Sequence, residues 1–226
     1  MKKMKTVFAI AVLLISITAF SQKDFEKPNK FYFSFGAGIS SPNGLTSNFY
    51  HDGSTNVQLG FSYEYAFHPR FSWLNGIELE QNDYNFDIWI QKDESLEFLA
   101  PIDQAKYTRI IQRNITAHSQ LRFYFSDNLI KDDAAMFLQG GLRVSLSGPT
   151  NFSYRMDHER QQLDIGGFRN SMYISTELMI GFKNDFFENF DLLNASTLGA
   201  IYQLNPMFIN TNYNVFPLHF TWRFLF

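Results

Sequence analysis

The chain has 226 residues, no cysteine and a formal net charge of -3 at pH 7. The missing cysteine excludes a disulfide framework, a cysteine-based zinc site, a thiol nucleophile and the lipid anchor of a bacterial lipoprotein, and the acidic balance leaves no basic footprint for nucleic acid. Aromatic residues reach 18%, with 26 Phe, yet the mean hydropathy is only -0.20. Apolar residues must therefore alternate with polar ones, which favours strands.

Residues 1–21 have the three parts of a secretory signal peptide. Three lysines lie among the first five residues, residues 6–20 are apolar, and Ser21 ends a small-residue cleavage site. The apolar run is shorter than the roughly 20 residues that a membrane helix needs. We therefore predict a signal peptide over 1–21 and one domain over 22–226, whose 16 basic and 22 acidic residues make it clearly acidic.

Segments in which apolar and polar residues alternate recur along the mature chain, as expected for strands with one apolar and one polar face. The first seven lie at about 31–40, 57–67, 71–80, 107–125, 136–146, 172–183 and 190–203. The tight turn His68-Pro69-Arg70 separates the second from the third. The seventh segment is the least regular, because Leu192 and Leu193 fall on both faces.

The eighth segment, 216–226, has the clearest alternation. Its even positions are large and apolar, whereas its odd positions include His219, Thr221 and Arg223. Because it ends in phase on an aromatic residue, it resembles the C-terminal signal that the barrel-assembly machinery recognises in Gram-negative outer-membrane proteins. The residues of that signal would be Phe220, Trp222, Phe224 and Phe226. A soluble sandwich, in which this face packs on a second sheet, is the alternative.

The connections between these segments alternate in length. Short ones lie at 68–70, about 126–133 and about 184–189, and long ones at about 41–55, 84–106, 147–168 and 204–213. Transmembrane barrels have short periplasmic turns and long outer loops. We therefore predict an all-β, eight-stranded antiparallel transmembrane barrel with both termini in the periplasm.

Aromatic residues gather beside the short connections, as the interfacial girdle of a barrel does. They are Tyr63, Tyr65, Phe67, Phe71, Trp73, Phe123, Phe125, Phe182, Phe186, Phe187, Phe190, Trp222, Phe224 and Phe226. Arg113 is a charge in the lipid-facing phase. Counting upward from Phe125 puts it at or above the outer interface, so the third and fourth strands should extend past the membrane as a hairpin.

The inward phase of the predicted barrel carries balanced charges. It contains Glu64, Glu78, Glu80 and Glu177 against Arg122, Arg143, Lys183 and Arg223, with His118 and His219 nearby. An eight-stranded barrel is just wide enough to be filled by side chains, and buried charges are tolerated when paired. We expect a salt-bridged plug rather than a diffusion pore; the alternative is a proton-responsive or ligand-holding lumen.

The signal peptide, the eight alternating segments and Phe226 resemble the small outer-membrane barrels of the Bacteroidota, a group that includes PorT-like and OmpA-like barrels. This resemblance covers nearly all of the mature chain, and it rests on pattern, since no diagnostic motif is present. It implies a fold and an outer-membrane location more than a specific role.

The predicted role is structural or partner-binding, as an accessory of an envelope complex, with no cofactor or metal. Outer-membrane lipid, lipopolysaccharide and a protein docked on the long outer loops are the expected partners. The second long loop and its approaches would form a docking or cation-bridging surface, or else a solvated hairpin. Its acidic and aromatic residues are Asp83, Tyr84, Phe86, Asp87, Trp89, Asp93, Glu94, Glu97, Phe98 and Asp103.

A lipid-acting barrel enzyme is the second functional class. Such catalysis needs a nucleophile within reach of a base. His118 and Ser119 are adjacent on one strand, so they point to opposite faces, and no G-x-S-x-G elbow occurs. His158 in the third long loop could bind a metal or act as a base, or simply be solvated. We therefore assign no catalytic residue.

Overall fold

The computed structural model describes residues 29–43, 49–51, 54–88, 107–125, 136–156, 159–163, 169–183, 193–209 and 216–226. The strands in these ranges are β1 (Asn29–Asn43), β2 (Phe49–His51), β3 (Ser54–His68), β4 (Phe71–Ile88), β5 (Tyr107–Tyr124), β6 (Met136–Ser147), β7 (Asn151–Met156), β8 (Glu159–Leu163), β9 (Met172–Lys183), β10 (Ala195–Gln203) and β11 (Phe216–Leu225). Within the same ranges there is no helix of the length and apolarity that crossing a membrane requires.

Eight of these strands close into one antiparallel barrel, in the order β1, β3, β4, β5, β6, β9, β10, β11 and back to β1. The closing seam joins β1 to β11, with Ser34 opposite Leu225. Phe33 and Phe226 exchange two backbone hydrogen bonds of 3.1 and 2.8 Å, which carry the seam to the last residue. The predicted eight-stranded antiparallel barrel is confirmed, and the sandwich alternative is wrong because the chain makes one closed sheet.

We call the barrel end that carries the turn 68–70 and Phe226 the turn end, and the opposite end the loop end. The first and last barrel strands begin and finish at the turn end, because an even number of antiparallel strands returns the chain to its starting side. At this end the lumen holds a buried apolar cluster, which consists of Tyr32, Ala66, Leu74, Tyr124, Phe137, Ala195 and Leu225.

The two faces of the barrel wall have the polarity opposite to that of a water-soluble protein. Buried and outward side chains alternate along β3, and its buried face carries Gln58, Ser62 and Glu64. On the outer face, Phe31 is 82% exposed and Phe61 is 69% exposed. Exposed apolar side chains occur on all eight barrel strands: Phe31, Phe33, Ile39, Val57, Leu59, Phe61, Ile77, Leu79, Ile115, Leu121, Leu138, Leu142, Val144, Leu146, Ile174, Leu178, Ile180, Leu198, Phe220 and Trp222.

The hairpin of β4 and β5 extends the sheet at the loop end. Its pairing reaches Phe86 opposite Thr108, past the last pair of β3 with β4, Thr55 opposite Asp83. Extended strands leave unpaired backbone groups at both edges, which need partners. Short strands supply them: β2 pairs with β4, β7 pairs with β5, and β8 pairs with β7. The sequence analysis predicted loops at these three strands, and that part of the prediction is wrong.

The seventh barrel strand is shorter than predicted. β10 begins at Ala195, and Leu193 is a buried residue that precedes it, so the irregularity at 192–193 falls before the strand. Several predictions concern residues outside the described ranges. They are the signal peptide at 1–21, the connections at about 126–133 and 184–189, and the girdle residues Phe186, Phe187 and Phe190.

Candidate functional site

The lumen contains two connected clusters of buried charge, and Glu64 is the centre of the first. Its carboxylate accepts hydrogen bonds from Tyr32 at 2.6 Å and from the Arg122 guanidinium at 3.0 Å. The hydroxyls of Ser72 and Tyr124 donate to its second oxygen. Both carboxylate oxygens therefore have protein donors, as a buried anion requires.

Arg122 is packed as well as paired. Its guanidinium lies 4.6 Å from the Phe137 ring centroid and 5.7 Å from that of Tyr32, so the charge is also stabilised by aromatic faces. Gly181 provides the room, because a Cβ there would lie 2.2 Å from the Phe137 ring. Six strands, β1, β3, β4, β5, β6 and β9, thus supply the parts of this cluster around Glu64, which we call the turn-end cluster.

The central cluster lies higher in the lumen and joins three carboxylates to two arginines. Arg143 binds Glu177 at 2.9 Å and Glu78 at 2.8 Å, and also contacts Glu80. Arg223 approaches Glu78 at 3.2 Å and Glu177 at 3.5 Å. All of these side chains are buried. Because both guanidinium groups contact Glu78 and Glu177, the ion pairs form one connected network.

Gln139 links the two clusters. Its oxygen accepts from Arg122 Nε at 2.7 Å, and its amide nitrogen donates to Glu177 at 2.9 Å. The central cluster has one more carboxylate than arginines, whereas the turn-end cluster has the extra cation Lys183, whose Nζ lies 4.7 Å over the Tyr124 ring. The four predicted acids and four predicted bases balance only when both clusters are taken together.

The two lumenal histidines occupy different surroundings. His118 Nε2 lies 3.6 Å from Glu78 and 3.3 Å from the Ser62 hydroxyl, so it belongs to the central cluster. A Cβ at Gly76 would lie 2.4 Å from the same nitrogen, and glycine therefore makes space for the ring. The aligned strands β3, β4 and β5 create this site.

His219 lies closer to the loop end than His118 does. Its Nδ1 is 2.7 Å from the Ser40 hydroxyl, and its Nε2 is 3.5 Å from the Tyr84 hydroxyl. Among the described residues His219 makes no ion pair, although it lines the same small cavity as Glu80 and Arg143. Likewise, within the described ranges Lys183 has no carboxylate at ion-pair distance and contacts an aromatic face instead.

Sequence reasoning missed the polar side chains that complete these sites. Tyr32, Ser72 and Tyr124 around Glu64, and Gln139 between the clusters, lie in the inward phase of their strands. The alternation that identified the charges could have included them. It could not have shown that they meet, because period two gives the face of a strand and leaves the height of a residue in the barrel undetermined.

Asp83 and Tyr84, which the sequence analysis assigned to the second long loop and its approaches, lie in β4. Tyr84 is fully buried and faces the lumen, and Asp83 is nearly buried in a bidentate ion pair with Arg109. Strand β4 continues through both residues, so they are not loop residues. The side chains of Phe86, Asp87, Trp89, Asp93, Glu94, Glu97, Phe98, Asp103 and His158 lie outside the described residues.

The C-terminal residues form part of an outer aromatic belt. Phe220, Trp222 and Phe226 are exposed on the outer face, and the Trp222 and Phe224 rings lie 4.9 Å apart. Elsewhere at the turn end, Phe71 contacts Phe123 with ring centroids 5.2 Å apart. These rings face outward beside the turns.

The chemistry available in the lumen is that of a closed polar core. A cavity of about 10 Å³ beside Glu80, Arg143 and His219 has room for about one water molecule. No group of three or more His, Asp or Glu side chains in the described ranges could hold a metal ion. The arrangement can hold charge and rigidify the wall, and this cavity among the described residues is far smaller than a site for a drug-sized ligand.

Two solved outer-membrane structures are similar to this chain at low identity. Neisserial surface protein A is 13% identical over 88% of this chain and 97% of its own, with a TM-score of 0.42. Ail, the attachment invasion locus protein of Yersinia pestis, in complex with the heparin analogue sucrose octasulfate, is 10% identical over 89% and 100%, with a TM-score of 0.35. Our fold assignment rests on the strand pairing described above.

No protein-family model matches the chain. No curated protein matches it significantly either.

Proposed function

We propose that this protein is an integral outer-membrane barrel with a structural or partner-binding role in the cell envelope, as an accessory of a larger complex. The observation that carries the proposal is the inverted polarity of the wall, with paired charges inside and exposed apolar side chains on all eight strands. An apolar belt of this extent is unfavourable in water and favourable in lipid.

The positions of the short turns also indicate which end of the barrel faces the periplasm. The turn end would face the periplasm, because short turns lie on that side in outer-membrane barrels. The extended sheet of β2, β4, β5, β7 and β8 would then stand outside the cell. A hydrogen-bonded extension of this kind can carry loops that recognise a partner, which is why we favour an interaction role.

A filled lumen argues against transport. Arg122, Arg143 and Arg223 are fully buried across the interior, and each is tied to carboxylates on other strands. We expect the purified, folded protein to give no stable conductance steps in planar lipid bilayers. Regular ohmic steps that scale with salt concentration would contradict a plugged barrel and favour a pore.

The runner-up function, a lipid-acting barrel enzyme, requires a nucleophile and base that open to the lipid. The two serine-histidine contacts of the described ranges, Ser40 with His219 and Ser62 with His118, are between buried residues. The outer groove described below has no histidine among its lining residues. Neither observation favours catalysis, so the non-enzymatic role is our proposal.

A further inference from the structure

The outer surface of the barrel carries a groove of about 490 Å³ across β3, β4, β5 and β6. Its apolar floor includes Leu59, Leu79, Ile115 and Leu146, all of them exposed outward-facing side chains. The volume lies within the roughly 300–1,000 Å³ of small-molecule sites. An apolar groove on a lipid-facing wall is the shape that a single acyl chain fills.

A cationic side chain marks one end of this groove. Arg113 lines it and is exposed, and its Nε donates a hydrogen bond of 3.3 Å to Gln81 Oε1 on the neighbouring strand. Within the described ranges no carboxylate lies at ion-pair distance from it, whereas the nearby Arg109 pairs with Asp83. A guanidinium in this position is free to form charge-assisted hydrogen bonds with an anion.

The position of Arg113 along the barrel axis would place its side chain at the outer surface of the membrane. Ten residues separate it from Phe123 of the turn-end aromatic belt, which is about 33 Å of strand. With a strand tilt of about 40°, this is about 25 Å along the membrane normal, the height of the apolar band of such barrels. If the belt lies at the inner interface, the guanidinium lies at the outer one, where lipid phosphates are.

We propose that this groove binds one phosphorylated lipid of the outer leaflet, with an acyl chain along Leu79, Ile115 and Leu146 and the phosphate against the Arg113 guanidinium. The inference rests on the proposed membrane setting and adds a specific lipid site to it. Arginine binds phosphate through two parallel N–H donors, and Gln81 holds the guanidinium toward the wall. The apolar floor of the groove therefore fits the acyl chain of such a lipid, and its cationic end fits the phosphate.

The test uses the detergent-folded full chain and native mass spectrometry. The probes are phosphatidylglycerol, diacylglycerol with the same acyl chains and no phosphate, and inorganic phosphate. We expect one phosphatidylglycerol to bind about tenfold more tightly than diacylglycerol, as one charge-assisted interaction with the phosphate provides. Arg113→Gln should remove this preference and leave the weaker binding that both lipids share.

Two tryptophan variants separate the groove from the rest of the apolar surface. Leu79→Trp fills the groove and should weaken binding of both lipids. Leu178→Trp is the matched control, because Leu178 is 60% exposed on β9 and Leu79 is 61% exposed on β4. It should bind both lipids as the unaltered protein does.

Three results would overturn the proposal: an unchanged lipid preference in Arg113→Gln, equal binding by the two tryptophan variants, or displacement of the lipid by inorganic phosphate alone. Gel mobility with and without boiling is measured on the same samples. If a sample shifts on heating and also gives one of these three results, the lipid site is refuted and the proposed membrane barrel is not. A sample that shows no shift refutes the barrel proposal itself.

Discussion

Buried charge in this barrel is held by particular hydrogen bonds, and Glu64 shows how much depends on one residue. Its carboxylate accepts from Tyr32 and Arg122 and from two further hydroxyls. Arg122 is fully buried and has no other carboxylate at ion-pair distance in the described ranges. Removing the charge of Glu64 would therefore leave an unpaired cation in the lumen.

We expect Glu64→Gln to destabilise the folded barrel by about 3–5 kcal/mol, the usual cost of breaking a buried pair by removing one partner. Urea unfolding in detergent micelles measures this loss. The double variant Glu64→Gln with Arg122→Met should recover part of it, because the uncompensated charge is then gone. A Glu64→Gln barrel as stable as the unaltered protein would show that the pair is not needed.

Two glycines, Gly76 in the inward phase of β4 and Gly140 in the outward phase of β6, show at the same scale where an added methyl group would clash. A Cβ at Gly76 would lie 2.4 Å from His118 Nε2 and 2.5 Å from the Phe61 carbonyl oxygen. A Cβ at Gly140 would meet nothing closer than 3.5 Å, at the Glu177 carbonyl oxygen. We expect Gly76→Ala to lower the free energy of unfolding by about 1–3 kcal/mol, as overpacking does.

Gly140→Ala is the matched control for that experiment and should change stability little. Both variants are unfolded in urea under the same conditions. Equal stability of the two would mean that the space beside His118 is not needed. Because part of the clash is with backbone, His118→Ala should relieve Gly76→Ala only in part.

At the scale of elements, the alternation of residues predicted the eight barrel strands and their faces from sequence. Glu64 on β3 and Glu177 on β9 have the same inward phase, and that much could be predicted. Their separation into two clusters depends on how strands are staggered around the barrel, and a single sequence carries no signal for the stagger. Tyr84 was misplaced for a related reason, since nothing in the sequence marks where β4 ends.

The last strand has two roles that a variant can separate. Phe226 completes the seam with Phe33, and it belongs to the proposed C-terminal assembly signal. We expect Phe226→Ser to reduce the amount of protein in the outer-membrane fraction several-fold while the purified chain still folds in detergent. Western blotting of fractions and gel mobility of refolded protein measure the two effects.

Phe182→Ser is the control for this variant, because Phe182 is also an exposed outward aromatic residue at the turn end. The Phe182→Ser substitution removes a similar apolar area, but residue 182 lies outside the C-terminal segment. We therefore expect this variant to assemble in cells almost normally. If both variants assemble equally well, the C-terminal residues have no special part in biogenesis.

At the scale of the whole molecule, one pattern accounts for both the fold and its proposed location. The closed sheet gives every barrel strand a hydrogen-bonded neighbour on both sides, the three buried arginines are paired with carboxylates inside, and the apolar side chains face outward. A spanning structure in lipid needs internally satisfied backbone groups. The same chain in water would expose its apolar face without a partner.

The central claim is that this chain is a stable barrel in the outer membrane, and fractionation of cells followed by gel mobility with and without boiling tests it most directly. The account predicts a band in the outer-membrane fraction that migrates differently before and after heating, because a closed barrel stays folded in detergent until it is boiled. A soluble periplasmic protein whose mobility is the same in both lanes would contradict it.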